Sequence, residues 1–192
     1  MIWLATDQGV CRYDGEIFET FTKTDGLSGN NVWDIYQHTN GDIWFGTSDG
    51  GICRFNGYQF ESFPDLNEGG VRVIEADASG NIWFAGGYWL DQEGKGLWCF
   101  DGQRFIQFTT KDGLVLDKIT SLHCADDGTV WAGHVYGGIS RYHPPSVLTE
   151  ENRFSDLSTS GIGKFTSYTP EVPNQYGPDG LTGTTSHVIE QS

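Results

Sequence analysis

Five histidines, 26 carboxylates and four cysteines are the side chains of this 192-residue chain that could do acid–base, metal or thiol chemistry. Their spacing argues against each. His38, His123, His134, His143 and His187 never fall at a ligand spacing such as H-x-x-x-H. Glu75-x-Asp77-x-Ser79-Gly80 opens like a calcium loop, but its twelfth position is Gly86, where a bidentate Glu is needed. There is no G-x-S-x-G elbow, no phosphate-binding G-x-x-x-x-G-K-[ST] loop and no C-x-x-C pair. These patterns predict no catalytic set, no metal and no cofactor. Recognition chemistry remains: Tyr88, Trp89 and Asp91 within the stretch 87–95, and His134 with Tyr136. Aromatic faces stack on sugar rings, while Asp and His side chains hydrogen-bond hydroxyls.

Those residues interrupt a repeat. Ile2-Trp3, Ile43-Trp44, Ile82-Trp83 and Val130-Trp131 are four copies of one anchor, spaced 41, 39 and 48 residues apart. Each is followed by a Gly-led strand: GVCRYDG at Gly9, GICRFNG at Gly51, GLWCFDG at Gly96 and GGISRYH at Gly137. Asn-Gly and Asp-Gly turns between such runs supply the φ > 0 that hairpins require. A period of about 40 residues built from short strands predicts a β-propeller.

With the Ile-Trp strand counted second, the second strands are 2–6, 43–47, 82–86 and 130–134, and the third strands 9–13, 51–55, 96–100 and 138–142. Fourth strands at 17–22, 59–63, 104–109 and 164–169 alternate apolar and polar residues, as half-covered strands do. First strands are expected at 31–37, 70–76, 118–124 and 186–191. The fold class is therefore all-β: a β-propeller of four blades with four antiparallel strands each, one array over residues 1–192. Insertions fall at 86–96 and 143–163, and a loop-rich link at 170–186. Two arrangements fit. In one, strand 186–191 completes the first blade and closes a ring; in the other, the four blades are a segment of a larger, about seven-bladed propeller. Nothing polar caps either end, which favours the segment.

Composition narrows the partners. A net charge of −15 makes nucleic acid and anionic membranes poor ones. No 18-residue apolar run predicts a membrane segment. The start, MIWLATDQGV, lacks a basic n-region and a continuous apolar h-region, so no signal peptide is expected. Cys11 and Cys53 hold the same position one blade apart, Cys99 is one residue out of register and Cys124 lies in another strand. Bridging needs Cα atoms within about 7 Å, so four free thiols are expected, which weakly favours a reducing compartment. The anchor tryptophans, and Arg12, Arg54 and Arg141 at one shared position, read as packing and ion pairing.

The repeats resemble the two-component regulator propeller family. The resemblance rests on Val32-x-x-Ile35, on Gly41-Asp42-Ile43-Trp44-Phe45-Gly46-Thr47, on Gly51-Ile52-Cys53-Arg54-Phe55-Asn56-Gly57 and on Phe60-x-x-Phe63. An Asp-Gly-Leu element recurs at Asp25–Leu27, Asp112–Leu114 and Asp179–Leu181. The second copy reads Pro64-Asp65-Leu66-Asn67 instead, and the third has Cys99 in place of Arg. The resemblance implies a sensor-region propeller of a bacterial sensor kinase: extracytoplasmic, non-catalytic, often tuned to carbohydrate breakdown products. Its partners would be a small molecule or oligosaccharide and neighbouring blades or domains of the parent protein. Any kinase activity would lie outside this chain. Two other classes stay open, a lyase or hydrolase of the streptogramin-lyase type and a structural protein-interaction propeller.

Strand order places the candidate site. Fourth-to-first and second-to-third connections share one face of a propeller. The loop 86–96, the turn 134–137 and the link 170–186 should therefore meet there. Tyr88, Trp89 and Tyr136 are the expected stacking residues, with Asp91 and His134 as polar contacts.

Overall fold

A computed structural model describes residues 1–63, 66, 70–86, 94–144 and 163–169. The first blade contains β1 (Ile2–Thr6), β2 (Gly9–Tyr13) and β3 (Phe18–Phe21). The second contains β4 (Val32–Gln37), β5 (Ile43–Thr47), β6 (Gly51–Phe55) and β7 (Phe60–Ser62). The third contains β8 (Val73–Ala76), β9 (Ile82–Ala85), β10 (Leu97–Phe100) and β11 (Phe105–Phe108). The fourth contains β12 (Ile119–Cys124), β13 (Val130–His134), β14 (Ile139–His143) and β15 (Lys164–Tyr168). Each blade is an antiparallel meander whose strands pair in sequence order. The first blade has three strands among the described residues, against the four expected; the candidate strand 186–191 lies outside them.

One packing scheme recurs between blades. At each of the three junctions the Trp of one blade's second strand faces the following blade, whose own second strand turns its alternate side chains (Ile43 and Phe45, Ile82 and Phe84, Val130 and Ala132) toward it. Trp3 meets Phe45 and Phe55 at 5.4 Å, Trp44 meets Phe100 at 5.4 Å and Trp83 meets Tyr142 at 5.0 Å. Each Trp also stacks on the aromatic closing its own fourth strand: Phe21, Phe63, Phe108 and Tyr168 at 5.7, 5.8, 5.8 and 6.4 Å. Such pairs exceed plain area burial by about 0.5–1.5 kcal/mol. Three buried clusters result, one between each successive pair of blades.

The arginines at the shared position are packed and ion-paired, as the repeat implies, with one addition. Arg12, Arg54 and Arg141 lie over Trp3, Trp44 and Trp131 at 5.6, 5.8 and 4.8 Å. Their partners are Glu19 for Arg12, Asp42 and Glu61 for Arg54, and Asp127 at 3.9 Å for Arg141. The cross-strand register puts each guanidinium directly opposite its Trp. Cation–π contact thus joins the ion pair.

The Asp-Gly-Leu element has a local cause. Thr22 and Thr109 cap single 3-10 turns, Lys23–Asp25 and Thr110–Asp112, through reciprocal capping boxes with Asp25 and Asp112. Gly26 and Gly113 close them at φ 104° and 109°, a left-handed geometry that favours glycine. Leu27 and Leu114 then drop into the interblade clusters. A second glycine, Gly46, allows close approach: a Cβ there would lie 2.7 Å from the carbonyl oxygen of Val71 in the next blade. All four cysteines are free.

Candidate functional site

The face carrying the second-to-third turns is tied together by backbone hydrogen bonds to the fourth-to-first connections. Ser48 N donates to Asn31 O at 2.9 Å and Val71 N to Thr47 O at 2.9 Å. Gly96 N donates to Asp117 O at 2.9 Å, and Val135 N to Lys118 O at 3.1 Å. The Asp117–Lys118 segment therefore stands between the described end of the 86–96 loop and the 134–137 turn. Tyr88, Trp89 and Asp91 lie outside the described residues, as does the 170–186 link. His134 and Tyr136 are within them.

These two residues do different work. His134 replaces the Thr47 of the second blade. There, Thr47 Oγ1 donates to Gly51 O, accepts from Gly50 N at 3.1 Å and contacts Ser28 Oγ at 3.3 Å, fastening the turn to the preceding loop. In the fourth blade the His134 ring is fully buried (0 % exposed), with Nε2 2.8 Å from Ser140 Oγ. Ser140 Oγ in turn accepts from Val115 N at 3.0 Å. Burial pushes the imidazole below its usual value, against the pull of the Leu116 and Lys118 carbonyls and the Asp117 charge, so the ring is neutral at neutral pH. His134 thus acts inside the turn as a fastener and does not reach solvent.

Tyr136 is its outward counterpart. It is 52 % exposed and holds φ 67°, alone in that region among the described non-glycine residues. A bulky residue at positive φ costs of the order of 1–3 kcal/mol, and such strain concentrates at functional positions. Leu116, whose backbone faces the buried His134, is also exposed.

A second group of polar side chains escapes sequence reasoning. The first strands of successive blades lie side by side and are joined by carboxylates. Asp34 accepts from Ile74 N at 2.7 Å, and Glu75 accepts from Cys124 N at 2.7 Å. A bulge between Val32 and Asp34 turns Asp34 toward the next blade. Burial raises both carboxyls above the ordinary range, opposed by those amide bonds; His123 also favours the Glu75 charge and Asp34 disfavours it. Their signal in the sequence is an acidic residue inside an otherwise apolar strand. Asp77, the centre of the calcium-like stretch, instead accepts from Ser79 N, Asn81 N, Asn81 Nδ2 and Trp83 Nε1, which consumes its carboxylate in a hairpin turn. Among the described residues no group of three or more His, Cys, Asp or Glu is placed to hold a metal, and no helix is long and apolar enough to cross a membrane.

Comparison with known proteins agrees with this architecture. The two component regulator propeller family model matches residues 26–49, from the capped Gly26 to the turn after β5. A search of curated proteins finds no match. One similar solved structure is described as the extracellular domain of a hybrid two component system from B. thetaiotaomicron. It has 24 % identity, a TM-score of 0.53 and coverage of 81 % of this chain and 21 % of that one. Another is the extracellular domain of a one component system from B. thetaiotaomicron, with 23 % identity, a TM-score of 0.56 and coverage of 76 % and 20 %. The chain spans about a fifth of the length of each. The chain is an all-β propeller array in which residues 26–49 match the two component regulator propeller model.

Proposed function

We propose that this chain is an extracytoplasmic, non-catalytic ligand-sensing module of a bacterial two-component signalling protein, with a small molecule or oligosaccharide as ligand. The carrying observation is the match of residues 26–49 to the regulator propeller repeat. The extracellular setting of both similar structures supports the location. The ligand would sit on the face of the second-to-third turns. Tyr136 would stack there with Tyr88 and Trp89, Asp91 would take hydroxyls, and His134 would hold the turn from beneath.

Binding to an oligosaccharide array, combined with a product assay on every hit, tests this. Binding without product is the expected result, lost in Trp89→Ala and in Tyr136→Ala while the fold persists. Turnover that disappears on changing His123 or His187 would overturn the sensing reading in favour of a propeller lyase or hydrolase. Normal binding in both aromatic variants would overturn the site.

A further inference from the structure

Two Asn-Gly pairs, Asn40-Gly41 and Asn56-Gly57, lie in turns of the second blade, on the face opposite the second-to-third turns, with both asparagines exposed. In such a pair the backbone nitrogen of glycine can attack the asparagine side-chain amide with no Cβ in its way. Space does not separate the two. Gly41 and Gly57 hold φ 95° and 96°, and a Cβ at either would meet nothing within 4 Å. Hydrogen bonds do separate them. In the first-to-second turn, Gly41 N donates to His38 O at 3.0 Å. Asn40 Oδ1 accepts from one amide, Asp42 N at 2.9 Å, and Asn40 Nδ2 donates to Asp42 Oδ2 at 3.0 Å. Nucleophile and leaving group are both held there. In the third-to-fourth turn, Gly57 N donates to no acceptor among the described residues. Asn56 Oδ1 accepts from two amides, Tyr58 N at 3.0 Å and Gln59 N at 3.1 Å. Attack on Asn56 Cγ puts negative charge on Oδ1, where two backbone N–H groups already point, as in an oxyanion hole.

We propose that Asn56 is a site of spontaneous modification, deamidating through a succinimide formed with Gly57, while Asn40 persists. Gly57 N gives its proton to hydroxide and bonds to Asn56 Cγ. The Cγ–Nδ2 bond breaks, and Nδ2 leaves with a proton as ammonia. Water then opens the ring: breaking the new N–Cγ bond leaves an aspartyl residue, and breaking the bond to the backbone carbonyl leaves an isoaspartyl one. The fold has a place for the first product. Asp14 and Asp101 stand at the same position in the first and third blades. Asp14 Oδ1 accepts from Glu16 N and Ile17 N at 2.8 Å, and Asp101 Oδ1 from Gln103 N and Arg104 N at 2.9 Å. An aspartyl residue at position 56 keeps this pair of bonds and makes them charge-assisted. An isoaspartyl residue lengthens the backbone inside the turn that Asn56 N closes on Gln59 O. The proposal does not depend on the sensing reading.

Peptide mapping by mass spectrometry on the folded full chain tests it, with an unaged sample as the baseline. Trypsin places Asn40 in the peptide 24–54 and Asn56 in 55–72, and fragment spectra assign the position within each. On ageing at neutral pH the Asn-to-Asp mass shift should accumulate at position 56 about tenfold or more faster than at position 40. Mildly alkaline buffer should speed it further, because the amide anion is the attacking species. In denaturant the two rates should converge, since the turns that distinguish them are gone. Asn56→Asp should keep the β signature and the melting temperature of the wild type. Equal rates in the folded chain, no shift at position 56, or a ratio unchanged by denaturant would overturn the proposal. An Asn56→Asp protein that unfolds would overturn the fit of the aspartyl product to the turn.

Discussion

Replacing Glu75 separates two roles of one carboxylate. It accepts from Cys124 N across the junction of β8 and β12 at 2.7 Å, a charge-assisted bond of about 1.5–3 kcal/mol. Glu75→Ala leaves that amide without its acceptor and should cost about 2 kcal/mol at neutral pH. For a chain of this size that is a fall in Tm of about 4–8 °C. Glu75→Gln keeps an acceptor oxygen and removes the buried charge, so it should stay within about 1 kcal/mol of the wild type. The pH dependence follows from the raised carboxyl. Folded Glu75 holds its proton to higher pH than unfolded Glu75, so between the two values the native state binds more protons and stability falls as pH rises. The wild type is therefore favoured most, relative to Glu75→Gln, below the ordinary carboxylate range, and the advantage disappears as pH climbs through the raised value. The groups facing the carboxyl are Asp34 and Tyr36 from β4 and His123 and Cys124 from β12. Burial drives the shift, the Cys124 amide and then His123 oppose it, and Asp34 adds to it. Paired denaturant titrations of both proteins from about pH 4 to about pH 8 measure the difference. A wild-type advantage that grows with pH, or a Glu75→Ala cost below about 0.5 kcal/mol, would refute the reasoning.

Two further outcomes can be checked by thermal melts and binding. Trp44→Ala should cost about 3–5 kcal/mol because Trp44 is buried between two blades. Trp131→Ala should cost clearly less, because Trp131 is only partly buried and its ring contacts among the described residues, Tyr168 and Arg141, lie within its own blade; equal losses would show that interblade contact does not set the cost. Tyr136→Asn relieves the positive φ and should raise stability by about 1 kcal/mol, or about 2–4 °C in Tm. Under the proposed function it also weakens ligand binding, so a stabilised variant with undiminished affinity would remove Tyr136 from the site.

The strands were legible because the Ile-Trp anchor and the Gly-led strand after it recur. Every described strand but β8 matches its expected range to within a residue at each end; β8 starts at Val73, where the register with the other first strands placed its start at 70, because Val71 and Arg72 bond instead to Thr47 and Ala85 carbonyls. Contacts between blades were not legible. That Asp34 and Glu75 reach backbone amides 40 and 49 residues away depends on how adjacent sheets sit, which no local pattern encodes. His134 shows the same limit. Its type suggested a polar contact at the surface, yet its position is that of Thr47, which faces inward to fasten a turn. The capping boxes stand in the sequence as Thr-x-x-Asp before Gly-Leu, but their role, to deliver Leu27 and Leu114 to the core, depends on where the next blade packs.

The three interblade clusters make the fold a sum of neighbour terms, each blade meeting the next through the same two sides. Such a gene can grow by whole-unit duplication. A new blade inserted between two old ones meets both through surfaces they already possess and disturbs no contact beyond them. Rim loops can then diverge copy by copy, as the turn at Tyr136 departs from its counterpart at Asp49, while the strands beneath stay interchangeable.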